Sequence, residues 1–545
     1  ANYRKMATDN KYDRQLRLWG KDGQLRLATA NILVIGAGPT ATETLKNLVL
    51  PGIGKFTTLD NEIVNTNDLG NNFFVTSNDL GRPRAEVVRD LIIEMNPEDC
   101  IGSFRVADPK DIIQNEPGFF KEFSLIIATQ LDSVTLLALS QICWGSNIPL
   151  VIVRSYGYIG YMRLQLKDHE IIESKPDTKL FDLRLSNPFP ELLQLYQSMD
   201  IDAMSDMDHA HTPYVMYLMK ALDVYKASHQ GKLPTKFVEK KEFKTIVESM
   251  RRNVQQPELN ISEAIENSYR AFSPPIPIDI KELVDSYKLK LLNPDVTDFH
   301  ILVLALGEFI EKEGVMPLTG LIPDMEADNP KYIALQQCYE RRAERDMLFI
   351  SQLAESIHKK SGKKEEDIDP ELIIRFCKDA WNLKVVKTRS LEEEQTSPLL
   401  DPDVVYEVGE NTTQSPALWY LALKGIDRFQ VNQGRYPGCN LNDDETSLTN
   451  DSQQVWQEMQ SFLSEQSSDS SDSSMISSIS YPDLTENHAY EMTRFGCMKE
   501  FHNVSSFMGG VASQEIIKII THQWIPANNT FIYNGVSGTA QTIEF

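Results

Sequence analysis

The sequence predicts an α/β fold in which an open parallel sheet is interrupted by a large, mainly helical insertion. Three observations carry this. Short apolar runs ended by glycine or aspartate alternate with helix-like stretches between residues 31 and 165. Helical spacing dominates from about Pro188 to Leu463. Strand and helix signals then return beyond the Ser/Asp tract Gln466–Ser480. The expected organisation is an α/β domain over 1–165, a helical insertion over 166–465, a linker over 466–485 and a return to the α/β domain over 486–545.

Asn31–Ile35 (NILVI) is a continuous apolar run too short for a helix. Gly36 ends it, and Thr42–Leu50 takes up helical spacing. Phe56–Leu59 is a second strand, closed by Asp60. Leu125–Ala128 and Leu150–Val153 repeat the pattern, with the helix-like Val134–Trp144 between them. Tyr161–Leu166 alternates like a strand and is expected to carry the chain out of this sheet.

In the insertion, the clearest helix is Pro330–Lys360. Tyr332, Leu335, Tyr339, Ala343, Met347, Ile350, Ala354 and Ile357 make its apolar stripe, and Asn329 is the expected N-cap. Further helices are expected at Phe299–Glu311, Pro370–Trp381, Pro416–Gln433 and Gln454–Leu463. The tract Gln466–Ser480 has too few apolar groups to offset the entropy of ordering and reads as a linker. Ser506–Ile520 reads as an apolar helix with Gly509 and Gly510 permitting close packing. Thr530–Tyr533 is a last strand, expected to complete the first sheet.

The chain has 545 residues, with 54 Lys and Arg against 78 Asp and Glu. A formal charge of -24 excludes a polyanion binder working through a basic face, so no nucleic-acid partner is expected. No apolar run approaches the roughly 20 residues a bilayer needs, and no membrane partner is expected. The six cysteines (Cys100, Cys143, Cys338, Cys377, Cys439, Cys497) never form a CxxC pair, which argues against a zinc ribbon, a redox pair or a secreted disulfide framework. Cytosol or nucleus fits this usage. Cys439, after Tyr436-Pro437-Gly438, has the most exposed setting of the six. His209 and His211 lack a nearby third ligand, so no metal site is expected.

Gly36-Ala37-Gly38-Pro39-Thr40-Ala41 follows a strand, opens a helix and is followed by an acid, Asp60, at the end of the next strand. In a dinucleotide loop of this kind Gly36 makes the tight turn, Gly38 admits phosphate, and the helix N-terminus holds the negative charge. Pro39 has no N–H and removes one phosphate donor. From the loop alone, an NAD or FAD enzyme and a ligand-free structural turn are both open.

The loop stands among further blocks in a fixed order: Lys11–Gly20 (KYDRQLRLWG), Leu45–Phe56, Asn71–Phe74 (NNFF), Gly81–Ala85 (GRPRA) and Ala128–Ser133 (ATQLDS). Together these resemble the Rossmann-like, ThiF-type adenylation domain of the ubiquitin-like-activating enzymes and their bacterial relatives. Arg154–Arg163, Asp182–Leu192, Asp208–Pro213, Ile322–Gln337, Gly434–Gly438 and Ser506–Ile520 extend the likeness over nearly the whole chain, toward the regulatory halves of heterodimeric members.

The resemblance implies that the assembled enzyme adenylates the C-terminal glycine of a ubiquitin-like modifier of the Nedd type, captures it as a thioester and passes it to a conjugating enzyme. Relative to active halves, charges are depleted. Asp68-Leu69-Gly70-Asn71 stands where Asn-x-x-Arg is the pattern, and Arg84 stands where a lysine follows Arg-Pro. Gly36, Gly38, Asp60 and Asp132, the last at the family's metal-holding aspartate, would then be vestiges of a site that binds no cofactor productively. ATP and Mg²⁺ would be bound by a catalytic partner subunit.

Arg14 matches a family arginine that reaches in trans to nucleotide phosphate in the other half. None of the six cysteines sits in the family's Cys-Thr or Cys-Pro context, so the thioester is expected on the partner. His211, Asp324, Met325, Asp328, Tyr332 and Gln337 are expected to face that partner. A protein-binding adaptor with a vestigial nucleotide fold is the alternative.

Overall fold

The computed structural model describes residues 10–177, 182–252, 258–290, 292–363, 368–396, 415–439, 445–468, 483–496 and 499–544. The chain forms two compact units, one of Ala1–Ile171 with Val385–Phe545 and one of Ile172–Lys384.

The first unit is built on β1 Asn31–Ile35, β2 Lys55–Leu59, β3 Ile101–Arg105, β4 Leu125–Thr129, β5 Leu150–Tyr156 and β6 Ile159–Gln165. A separate short pair, β7 His169–Ile171 and β8 Lys384–Val386, precedes β9 Thr530–Asn534 and β10 Thr539–Ile543. The eight-stranded sheet has the order β10-β9-β6-β5-β4-β1-β2-β3. Strands β1 to β5 pair in parallel, whereas β6, β9 and β10 join antiparallel. Chain order reverses between β1 and β4, and the Gly36 loop leaves the carboxyl end of β1 at that switch point, where open sheets bind ligands.

Alternate residues of β1 serve opposite faces. Leu33 and Ile35 join a core shared with helices Ser133–Gly145, Pro416–Gln433, Glu445–Ser468 and Glu486–Phe495. Ile32 and Val34 join one shared with Pro39–Val49 and His502–Thr521. Two-sided burial is why this strand is apolar at successive positions, each such side chain contributing about 1.5–3 kcal/mol. Helix His502–Thr521 lies directly on Pro39–Val49, and a Cβ at Gly509 would fall 2.8 Å from Glu43 Cβ. Gly510 has open space around it, so only Gly509 is required by the packing.

The structure of the α/β unit departs from the sequence expectation in several places. Strand β3 has no counterpart among the expected strands: it is the sheet edge, with no residue fully buried, and lacks an apolar run. Tyr161–Leu166 does not leave the sheet, because β6 turns back on β5 in an antiparallel hairpin. The insertion ends at Lys384 rather than at 465, since Pro416–Gln433 and Glu445–Ser468 carry apolar faces that cover the sheet. That last helix also takes in the first residues of the expected linker, and the rest of the Ser/Asp tract, 469–480, lies outside the described residues.

In the second unit, the long helix runs Asn329–Ser361 and is capped by Asp328, not Asn329: the Asp328 carboxylate accepts the Lys331 N–H. Leu335, Tyr339, Ile350, Ala354 and Ile357 of the expected stripe are buried. A buried Arg184–Asp346 ion pair of 2.7 Å ties this helix to the start of the unit. Among the described residues no helix is long and apolar enough to cross a membrane.

Candidate functional site

The loop after β1 keeps its dinucleotide shape. Gly36 has φ +91°, and a Cβ there would lie 2.3 Å from Thr129 Oγ1, so only glycine fits. Ala37 N–H donates to Asp60 Oδ2 at 2.7 Å. Helix Pro39–Val49 follows, with Gly38 at its N-cap, no side-chain cap on that residue and no acid in its first turn. Such a terminus presents free N–H groups and partial positive charge.

A carboxylate from the far end of the chain takes that position. Glu500 Oε1 accepts from Thr40 N–H at 3.1 Å and from Thr40 Oγ1 at 2.5 Å. Its other oxygen is so close to Gly38 that an added Cβ would sit 2.5 Å from it. The Glu500 backbone is pinned as well: Asn71 Nδ2 donates to its carbonyl at 3.2 Å, and Gly157 N–H donates to the neighbouring Lys499 carbonyl at 2.9 Å. Burial lifts the Glu500 carboxyl above its ordinary range, against hydrogen bonds from Thr40 and Gln130 and the charge of Arg84.

The expected charged residues are tied to one another. Arg84 spans Asp60 at 2.9 Å and Asp68 at 3.3 Å, and both carboxylates are almost fully buried. Asp60 additionally receives the Ala37 N–H on Oδ2 and the Glu62 N–H on Oδ1. Asp132 caps helix Ser133–Gly145, accepting from Thr135 N–H at 3.0 Å and Thr135 Oγ1 at 2.6 Å. Among the described residues no group of three metal-ligating side chains forms.

These residues do not fit a triphosphate. One donor is missing at Pro39, the Thr40 donors serve Glu500, and Arg84 is neutralised by two acids. A phosphate brought beside Glu500 would meet like charge, roughly 4 kcal/mol for unit charges 4 Å apart near a protein surface. Glu500 is the site residue that sequence reasoning missed, and it stands 460 positions from Thr40.

Arg14 behaves differently. It is exposed on helix Asp13–Thr29, and its neighbour Asp13 pairs with Arg17 at 3.0 Å, so Arg14 has no ion-pair partner among the described residues. Within the second unit, His211, Asp324 and Gln337 are exposed and Tyr332 is half-buried. His211 Nδ1 lies 2.8 Å from the Met207 carbonyl, while His209 makes a separate buried pair with Glu258, so the two histidines form no joint site. Asp328 is engaged by its helix. Burial opposes its ionisation, yet the Lys331 ammonium and N–H hold its carboxyl below the usual value. Met325 corrects the expectation: it is 8% exposed and packs into this unit's own core, which its flexible apolar side chain fills.

The described cysteines offer no nucleophile. Cys100, Cys143, Cys338 and Cys377 are buried, and burial lifts the thiols of Cys100, Cys143 and Cys377 to about 12 and that of Cys338 to about 11. Cys439 is exposed, as expected, but it is disulfide-bonded and so holds no free thiol.

A parallel sheet with a glycine loop at its switch point, followed by a helical insertion and a C-terminal return, defines an adenylation-type fold. The ThiF family model matches residues 12–545, and the chain belongs to that family. It is 38% identical to the NEDD8-activating enzyme E1 regulatory subunit of Xenopus laevis, over 98% of each chain. It is also 38% identical to the NEDD8-activating enzyme E1 regulatory subunit AXR1 of Arabidopsis thaliana, over 98% of this chain and 96% of that one. Among solved structures, the E. coli tRNA N6-threonylcarbamoyladenosine dehydratase TcdA matches at 25% identity and a TM-score of 0.25, over 28% of this chain and 65% of that one.

Proposed function

We propose that this chain is the regulatory half of a heterodimeric enzyme that activates a ubiquitin-like modifier of the Nedd type. The catalytic partner binds ATP and Mg²⁺, adenylates the modifier's C-terminal glycine, captures it as a thioester on its own cysteine and delivers it to a conjugating enzyme. Adenylation brings a carboxylate onto a phosphate, so the reacting site needs cations to offset crowded negative charge. In this chain the guanidinium beside the loop, Arg84, is held by Asp60 and Asp68, which is the observation that carries the reading. Arg14 is the cation this half contributes, reaching the partner's nucleotide in trans as an arginine finger does.

ATP–pyrophosphate exchange with purified modifier tests this. The chain alone gives no exchange, the partner alone gives little, and the mixture restores it. Exchange by the solitary chain, or by the partner at full rate without it, overturns the reading.

A further inference from the structure

We propose that Glu500 is an internal ligand of the glycine loop, so that the loop is a polyphosphate-binding cradle closed by the chain's own carboxylate rather than one that has lost its shape. This goes beyond the reading above, which concerns only where the chemistry occurs, and it does not depend on any partner.

Two independent observations meet here. The first is the cradle itself: Gly36 and Gly38 keep the backbone open, and helix Pro39–Val49 presents its N-terminus with no side-chain cap of its own. The second is what fills it. A carboxylate resembles a phosphate in charge and in its acceptor oxygens, and Glu500 uses both of its oxygens there. One receives the Thr40 N–H and hydroxyl, and the other fills the space beside Gly38 that the missing Cβ leaves open. The contact is built rather than incidental. Thr40 is fully buried, its hydroxyl also lies within 2.9 Å of Ser155 Oγ and 3.1 Å of Ser505 Oγ, and the Glu500 carbonyl accepts from Asn71. Asn71, the amide standing at the lost arginine position, thus helps hold the residue that occludes the loop. An oxyanion and the Glu500 carboxylate cannot share these donors. Removing the carboxylate's charge or the side chain should therefore open the cradle.

The test is calorimetric titration of the full chain with inorganic tripolyphosphate, and separately with ATP, for the natural protein, Glu500→Gln and Glu500→Ser. Glu500→Gln keeps the shape and one acceptor, so it guards against a Glu500→Ser protein that does not fold. The expected result is no saturable binding by the natural chain and at least a tenfold gain in affinity in one of the two variants. A gain for both ligands alike assigns the phosphate cradle alone, and a larger gain for ATP assigns a retained nucleoside pocket as well. Either supports the proposal. No gain in any folded variant, or binding by the natural chain as tight as by the variants, overturns it. These outcomes leave pyrophosphate exchange by the heterodimer untouched, so the two readings fail separately.

Discussion

The glycine loop and the first turn of helix Asp13–Thr29 treat charge in opposite ways. At the loop the charged groups have internal partners: Asp60 and Asp68 hold Arg84, Asp132 holds Thr135, and Glu500 sits on Thr40. At the first turn, Asp13 is taken by Arg17, and Arg14 stays exposed without an ion-pair partner among the described residues. A site that acts on a ligand must leave part of its electrostatic capacity unsatisfied until the ligand arrives. By that measure the loop's charges are spent within the chain, which is consistent with the proposal that Arg14 is the group this half offers to its partner.

The comparison breaks most visibly at Arg84. Arg84→Met leaves two buried carboxylates without their counter-ion, and urea unfolding should show a loss of about 3–5 kcal/mol. Were the loop a working site with Arg84 held in reserve, the loss would be far smaller. Gly36→Ala forces a side chain into a positive-φ turn against Thr129 and should cost roughly 1–3 kcal/mol in the same assay. Asp132→Ala removes a helix N-cap and should cost about 1 kcal/mol.

A pH profile sharpens the point at Glu500. Burial raises its folded pKa above the unfolded 4.5, so the fold favours the protonated form and the natural chain loses stability as pH climbs through the window above 4.5. Glutamine does not titrate. Thermal melts should show Glu500→Gln gaining on the natural protein between acid and neutral pH, with the gap closing as pH falls toward 4.5. A gap that widens on acidification would mean that the carboxylate is stabilised as the anion.

What the sequence reveals follows physical range. Strands β1, β4 and β5 are legible because two-sided burial leaves continuous apolar runs, whereas β3 at the edge leaves none. The loop and Asp60 are legible because one βαβ turn sets their spacing. Asp132 is visible as an acid but not as a cap, since that depends on the backbone of Thr135. Helices Pro416–Gln433 and Glu445–Ser468 show their periodicity but not the surface they cover, so the insertion looks longer than it is. Met325 looks like a loop residue until its burial is seen. Glu500 leaves no local signal at all, because its partner Thr40 lies 460 residues away.

Arg14 is the residue on which the division of labour between the two halves is most directly tested. In the reconstituted pair, Arg14→Ala should slow ATP–pyrophosphate exchange at least about tenfold, with the heterodimer intact by gel filtration and the melting midpoint of this chain unshifted. An exchange rate equal to that of the natural pair would contradict it.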